Sequence, residues 1–278
     1  MKSVQISVII PFYNAIKTAE KSLLSVIAEL QSVYKKTSDY EIICVDDGSS
    51  DGTEKFLDTF KKNNDSIVVL HQKNSGAATA RNAGLEIAKG ALVAFNDSDD
   101  EWLSGSLLQR LSILDKDANV KCVTGNHCIE KQRIPKLQKL GSEENLFVVT
   151  LKNEMFKNYY TTQNSILRRE VIDSGVKFKD GMRYSEEMLF FFQIVSKYKC
   201  VFCNEKFSES ILGKERFGDF GLSGNLKLME KGELESLKFA YKNYGVSFML
   251  YLSAKLFSVM KYFRRVLITK IRNVKDKR

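Results

Sequence analysis

Up to about residue 95 the chain alternates two hydrophobic rhythms. Unbroken, β-branched apolar runs over residues 4–10, 40–45, 67–70 and 91–95 read as strands. Between them, Leu23, Leu24, Ile27 and Leu30 recur at the spacing of one helical face, residues 53–62 read as a second helix, and residues 77–88 as a third, ended by Gly90. Continuous apolar strands separated by helices predict an α/β fold whose mostly parallel sheet is covered on both faces. Such sheets bind ligands outside the carboxyl ends of their strands. The polar clusters fall at those ends. Tyr13-Asn14 follows the first strand, Asp46-Asp47 the second, and Asn96-Asp97-Ser98-Asp99-Asp100 the fourth. A solvated turn explains any one of them, but explains their shared placement less well.

The second half is less regular. Residues 103–114 read as a helix, 120–124 as a strand, 126–150 as a long polar loop, 165–167 as a strand and 186–198 as a helix. Residues 212–224 are rich in glycine and charge, which predicts a mobile loop. Two helices, near 225–243 and 246–272, are expected to close the chain.

Composition narrows the class. Apolar residues make up 44% of the 278 positions, enough for a sizeable core and against disorder. The five cysteines are odd in number, and no leader pattern precedes the first apolar run, so reduced thiols in the cytoplasm are expected. Cys200 and Cys203 form a CxxC, but no second CxxC or nearby histidine completes a metal site, so buried strand cysteines are the expectation. His71 and His127 lie in no ligand-spaced cluster and receive no role.

Candidate chemistry centres on Asp97-x-Asp99. Two carboxylates two positions apart in a turn can aim at one hard cation, Mn²⁺ or Mg²⁺, which prefers oxygen ligands and often bridges phosphates. Alone, the pattern is common by chance.

The surrounding sequence is more specific. Ile6 to Asn14 (ISVIIPFYN) resembles the opening strand of the family 2 glycosyltransferases, which have the GT-A fold. Val45 to Thr53 (VDDGSSDGT), Asn74 to Gly84 (NSGAATARNAG) and Phe95 to Trp102 (FNDSDDEW) resemble that family's next three blocks, in order and at its spacing. The resemblance covers roughly residues 4–103 and weakens beyond.

It implies a GT-A domain over 1–224, with a donor half over 1–103 and an acceptor half over 104–224, followed by a helical basic appendage over 225–278. It implies that Pro11, Tyr13 and Asn14 line the pocket of a UDP-sugar's base, with Asp47 accepting from the base and Asp46 adjacent. Arg81 would lie near the base and diphosphate, Asp97 on the sugar side, Asp99 on the metal, and Asp100 beside it. A carboxylate can accept the uracil N–H, and an aromatic can stack on the ring. Ordinary packing for Tyr13, and helix capping for Asp51, stay open.

Inverting transfer also needs a base for the acceptor hydroxyl. The family's acidic pair resembles Glu186-Glu187 in Tyr184 to Phe190 (YSEEMLF), with Glu187 as the base where the family more often carries Asp. Two acids opening a helix also suit its dipole. Residues 161–165 are either an acceptor-side wall or a polar loop. Arg216, with Lys214, resembles the family's loop over the diphosphate, where an arginine would clamp the phosphates.

The net charge of +9 is concentrated at the end, where residues 261–278 carry eight basic side chains against Asp276 alone. Met249, Leu252, Leu256, Met260, Phe263, Leu267 and Ile271 form one helical face beside them. No stretch is long and apolar enough to span a bilayer. The expected role of 246–278 is peripheral attachment to the inner face of the cell membrane. Packing on the core, or a homodimer contact, are the alternatives. No recognition motif accompanies the charge, so nucleic acid is not an expected partner. The expected function is a metal-dependent, inverting sugar transfer from a UDP-sugar to a glycan or lipid-linked acceptor in surface polysaccharide synthesis. The alternatives are a catalytically silent nucleotide-sugar-binding subunit and a nucleotidyltransferase.

Overall fold

The first apolar run folds as β1 (Ile6–Phe12), with every residue buried. Strand alternation divides its side chains between two cores. Ile6, Val8, Ile10 and Phe12 face one cluster, and Ile9 faces the other. The computed structural model describes residues 4–128, 131–132, 137–213 and 224–275. After β1 come α1 (Ala19–Val33), β2 (Tyr40–Asp46), α2 (Thr53–Lys62), β3 (Ile67–His71), α3 (Ala77–Ile87), β4 (Leu92–Phe95) and β5 (Asp100–Trp102). The second half adds α4 (Ser106–Lys116), β6 (Val120–His127), β7 (Gln138–Lys139), β8 (Leu146–Val148), α5 (Leu151–Phe156), β9 (Ile166–Arg168), α6 (Arg169–Asp173), α7 (Glu186–Val195), β10 (Lys199–Ser210), α8 (Leu226–Asn243) and α9 (Phe248–Lys275).

The strands build one sheet in the order β3-β2-β1-β4-β9-β6-β10-β8-β7, with β5 also paired to β10. The strands β3, β2, β1 and β4 are parallel, and β9 then joins antiparallel between β4 and β6. Helices α1, α2 and α4 cover one face, and α3 and α7 cover the other. α3 comes close to β1 at Gly84, where a Cβ would sit 2.5 Å from Ile9 Cγ2.

Several expectations need correcting. Leu24 is half exposed, and α1 instead buries Ala19, Leu23, Val26 and Leu30. The first strand, read over residues 4–10, runs on through Pro11, which pairs with Val45, to Phe12. The helix expected from residue 103 begins at Ser106, because β5 and Gly105, with φ +78°, occupy the preceding positions. The expected loop over 126–150 contains β7 and β8, which pair with each other while β8 also pairs with β10. Cys200 and Cys203 are buried on β10, as expected of strand cysteines. Most of the glycine-rich loop, including Lys214 and Arg216, lies outside the described residues.

α8 and α9 pack on the domain through a third cluster, in which Leu237, Ala240 and Ala254 meet Met155, Met188 and Phe192. Among the described residues no helix is long and apolar enough to cross a membrane.

Candidate active site

The parallel half of the sheet ends in a cavity of about 260 Å³. Pro11, Phe12 and Tyr13 reach it from β1, Asp47 from the end of β2, and Ala77 and Arg81 from α3. Asp97, Ser98 and Asp99 come from the turn after β4, and Glu186 and Glu187 from the first turn of α7. Larger hollows lie beside α3 and between α8 and α9, but neither includes these rim carboxylates.

Tyr13 presents an exposed ring at the rim, 54% accessible, while Asp47 and Arg81 are buried. Asp47 is an organiser of the site. Its Oδ1 accepts from Gln72 Nε2 (2.7 Å) and the Ser75 N–H (2.8 Å), and its Oδ2 accepts from the Gly76 N–H (2.8 Å). These bonds fix the loop that opens α3. Asp47→Ala leaves two backbone donors without their acceptor, at about 1–3 kcal/mol each where buried. The expected result is a loss of about 1–2 kcal/mol in denaturant unfolding. Unchanged stability would refute this organising role.

Arg81 crosses the cavity floor. Its Nη2 donates to Asp97 Oδ1 at 2.6 Å, and its Nη1 donates to Glu186 Oε1 at 3.3 Å. Despite burial, the neighbouring Asp97, Glu187 and Glu186 carboxylates raise its pKa, so the guanidinium stays charged. One arginine therefore joins the β4 turn to α7, which lies about a hundred residues later.

Glu187 sits beside this pair. Its Oε2 accepts from the Thr162 N–H at 3.2 Å. Burial pushes its pKa up to about 7, and the Asp97 and Glu186 charges push the same way, against Arg81 and the Thr162 N–H. A carboxylate poised there suits a general base near neutral pH. Ser185, the residue before α7, holds φ +56°, and Asn14, after β1, holds φ +49°. Such conformations in non-glycine residues concentrate at functional sites.

Three expected site residues do not line the cavity. Asn14 stands behind the rim, where its Oδ1 accepts from the Ser50 N–H at 2.8 Å. Asp46 turns away, accepting from the Ser49 N–H and facing His71 Nδ1 at 3.3 Å. Asp100 is buried in β5, with its Oδ1 3.7 Å from His127 Nε2.

The cavity offers Asp99 and the second oxygen of Asp97 as hard donors. Among the described residues no group of three acids, histidines or cysteines forms a closed metal cage. An all-oxygen, incomplete donor set fits a Mg²⁺- or Mn²⁺-type cation that takes its remaining ligands from substrate phosphates and water.

The sequence matches the family model for glycosyl transferase family 2 over residues 7–178, more than half the chain. The chain belongs to glycosyl transferase family 2. Among its relatives is GgaA of Bacillus subtilis, described as a minor teichoic acid biosynthesis protein, 28% identical over 200 residues, which cover 69% of this chain and 44% of GgaA. The chain spans less than half the length of the curated relatives it matches first. Among solved structures, Staphylococcus aureus TarS 1–349 in complex with UDP-GlcNAc aligns with a TM-score of 0.69 at 20% identity, covering 91% of this chain and 70% of that one. The mannosyltransferase PcManGT of Pyrobaculum calidifontis, in complex with GDP-Man and Mn²⁺, gives 0.63 at 14%, with 94% and 74% covered. At these identities the structures establish the GT-A fold.

Within this family 2 domain, the sequence left the role of residues 161–165 open and gave no signal for Glu154. The Thr162 N–H meets Glu187 only because the 162–164 turn is folded against α7. Glu154 is wholly buried, accepts from the Tyr159 and Tyr160 N–H groups, and so anchors the segment leading to Thr162. Burial raises its pKa to about 8. Its sequence context offers nothing to distinguish it from a surface glutamate.

Proposed function

We propose that the chain transfers a sugar from a UDP-sugar to a hydroxyl acceptor, with inversion, in the synthesis of a surface polysaccharide. The observation that carries the reading is the convergence of Asp97, Asp99, Arg81 and Glu187 on one cavity at the carboxyl ends of parallel strands. The donor's base would lie against Pro11 and Tyr13, above the loop that Asp47 holds. Asp99, with the outer oxygen of Asp97, would hold Mn²⁺ or Mg²⁺. Such a cation supplies charge neutralisation for the departing diphosphate. Arg81 would keep Asp97 oriented and lend positive charge to the cavity floor, and Arg216 would clamp the phosphates. Asp46, Asn14 and Asp100 would support the rim from behind.

Glu187 would take the acceptor's proton as the hydroxyl oxygen attacks the anomeric carbon and the bond to the diphosphate breaks. The Thr162 N–H would hold its carboxylate in place. Glu186, tied to Arg81, would fix the start of α7. In this reading residues 1–103 bind donor, 104–224 receive the acceptor, and 225–278 attach the enzyme. The acceptor would be a glycan or lipid-linked hydroxyl at the cytoplasmic face of a cell membrane. Attachment would be peripheral, with pairing of two chains as the other mode.

Titrating the full chain with a panel of nucleotide-sugars in the presence and absence of Mn²⁺ tests the donor. A UDP-sugar is expected to bind and to be slowly hydrolysed, with both effects enhanced by Mn²⁺. Binding of no nucleotide-sugar would remove the enzyme reading, whereas binding without hydrolysis or transfer to any acceptor would favour a silent binding subunit.

A further inference from the structure

We propose that the outward face of α9 is a docking surface for an anionic lipid bilayer. This deepens the attachment named above by assigning its residues and its partner. Lipid binding is read without donor or acceptor, so its failure and the failure of sugar transfer are separate results.

The two faces of α9 are in opposite states. The inner face is fully engaged. Ala254 and Ser258 are buried, and the Ser258 hydroxyl donates to Glu230 of α8 at 3.0 Å. Lys261 Nζ donates to Glu233 Oε1 at 2.5 Å, and the Phe257 ring packs against Phe156. The outer face carries Met249, Leu256, Met260, Phe263, Leu267 and Ile271, each between 50% and 69% exposed. At 3.6 residues per turn these six form one stripe along a helix about 40 Å long. Packing on the domain is therefore already satisfied by the other face, and it does not account for the stripe. A contiguous apolar strip of this size in water marks an interaction surface.

Charge identifies the partner. From Phe248 to Lys275 the helix holds seven lysines and arginines and no aspartate or glutamate. By helical geometry Arg264 and Lys270 fall on opposite edges of the apolar stripe, and Lys255 lies beyond Lys270's edge. Past Lys255 the hollow of about 600 Å³ between α8 and α9 is bordered by Lys227, Lys231 and Lys238, with Glu230 and Glu235 among them. Two copies joined through their α9 stripes would set the cations of one α9 against those of the other, with no acid on either copy of α9 to compensate. An anionic headgroup layer offers the complementary sign, and its acyl boundary accepts the stripe. The helix would lie in the interfacial plane.

Docking there would also bring the site towards its substrate. α8, on which α9 rests, packs on the segment that opens α7, where Gly232 leaves room only for the Tyr184 carbonyl. Glu187 is thus separated from the docking helix by one helical layer.

The test is flotation of the full chain with vesicles of phosphatidylcholine alone and with phosphatidylglycerol added. Binding is expected to the anionic vesicles, and to weaken with salt. The triple variant Met260→Ser, Phe263→Ser, Leu267→Ser should lose about tenfold or more in partitioning with an unchanged melting temperature, since these side chains are exposed. The pair Arg264→Glu, Lys270→Glu provides a second variant, with a loss of about tenfold or more, at roughly 1 kcal/mol for each charge near the surface. Absence of binding by the natural chain, or binding unchanged in both variants, overturns the proposal. So does a dimer in lipid-free solution that the triple variant dissolves, because the face would then belong to a second copy.

Discussion

Replacing Asp99 with alanine is expected to cut sugar transfer on the order of a thousandfold and to make UDP binding indifferent to Mn²⁺, while leaving the backbone of its turn in place. The reason is that the turn holding Asp99 is built from its backbone. The Asp100 N–H donates to the Asp97 carbonyl at 3.1 Å, and the Ile211 N–H donates to the Asp99 carbonyl at 2.9 Å. Asn96 Nδ2 donates to the Asp100 carbonyl at 3.0 Å, closing the same turn. These backbone bonds do not depend on the carboxylate. What is lost is a hard oxygen on the cavity wall and the charge neutralisation it would support. Several kilocalories per mole of transition-state stabilisation depend on such a ligand, at 1.36 kcal/mol for each factor of ten. Asp97→Ala is the informative contrast. It strips Arg81, 3% exposed, of its 2.6 Å partner and leaves the buried guanidinium with the longer bond to Glu186 and the nearby Glu187 charge. That variant is expected to lose stability as well as activity. Calorimetric titration of UDP with Mn²⁺ and with EDTA, beside thermal melts of both variants, separates the two roles. An Asp99→Ala protein with full transfer and an intact Mn²⁺ response would remove the metal from the reading.

The difference between these two aspartates also shows what local sequence carries and what it does not. The strands β1 to β4 were legible because each is a short apolar run, joined to the next by a helix of standard period. The helix over residues 53–62 was legible to the residue, since Gly52, with φ +99°, sets its start. β10 was not. Only its cysteines marked it as a strand, because its second half is polar and its length is set by pairing with β6, β8 and β5 in turn, with shifts of register on the way. The short strands within 126–150 exist for the same reason: distant partners supply hydrogen bonds that no local periodicity announces. The rim acids Asp47, Asp97 and Asp99 could be placed from the sequence because strand ends converge in a parallel sheet. Arg81's bridge to Glu186 could not, since it depends on how α7 docks. Nor could the turning away of Asp46, which adjoins Asp47 in the chain yet faces His71.

Replacing Glu187 with glutamine is expected to lower transfer by about a hundred- to ten-thousandfold, the usual contribution of a general base. UDP binding should survive, because the substitution keeps the side chain's shape and its oxygen can still accept from the Thr162 N–H. The pH profile gives the sharper test. Glu187 is protonated below its raised pKa of about 7, and only the carboxylate can take the acceptor's proton. The kcat/KM for acceptor in the natural protein should therefore fall about tenfold per pH unit below that point and level off above it. The residual rate of Glu187→Gln should lack this inflection. Asp in this position would shorten the side chain by one methylene and draw the carboxylate back towards α7, away from the Thr162 N–H. Glu187→Asp should thus retain part of the rate. If Glu187→Gln transfers sugar at the natural rate, with the same pH dependence, the base lies elsewhere. The Arg81–Glu186 pair would then be the reason for two acids at the head of this helix: one to fasten α7 to the donor half, the other to answer the charge that Arg81 brings into the cavity.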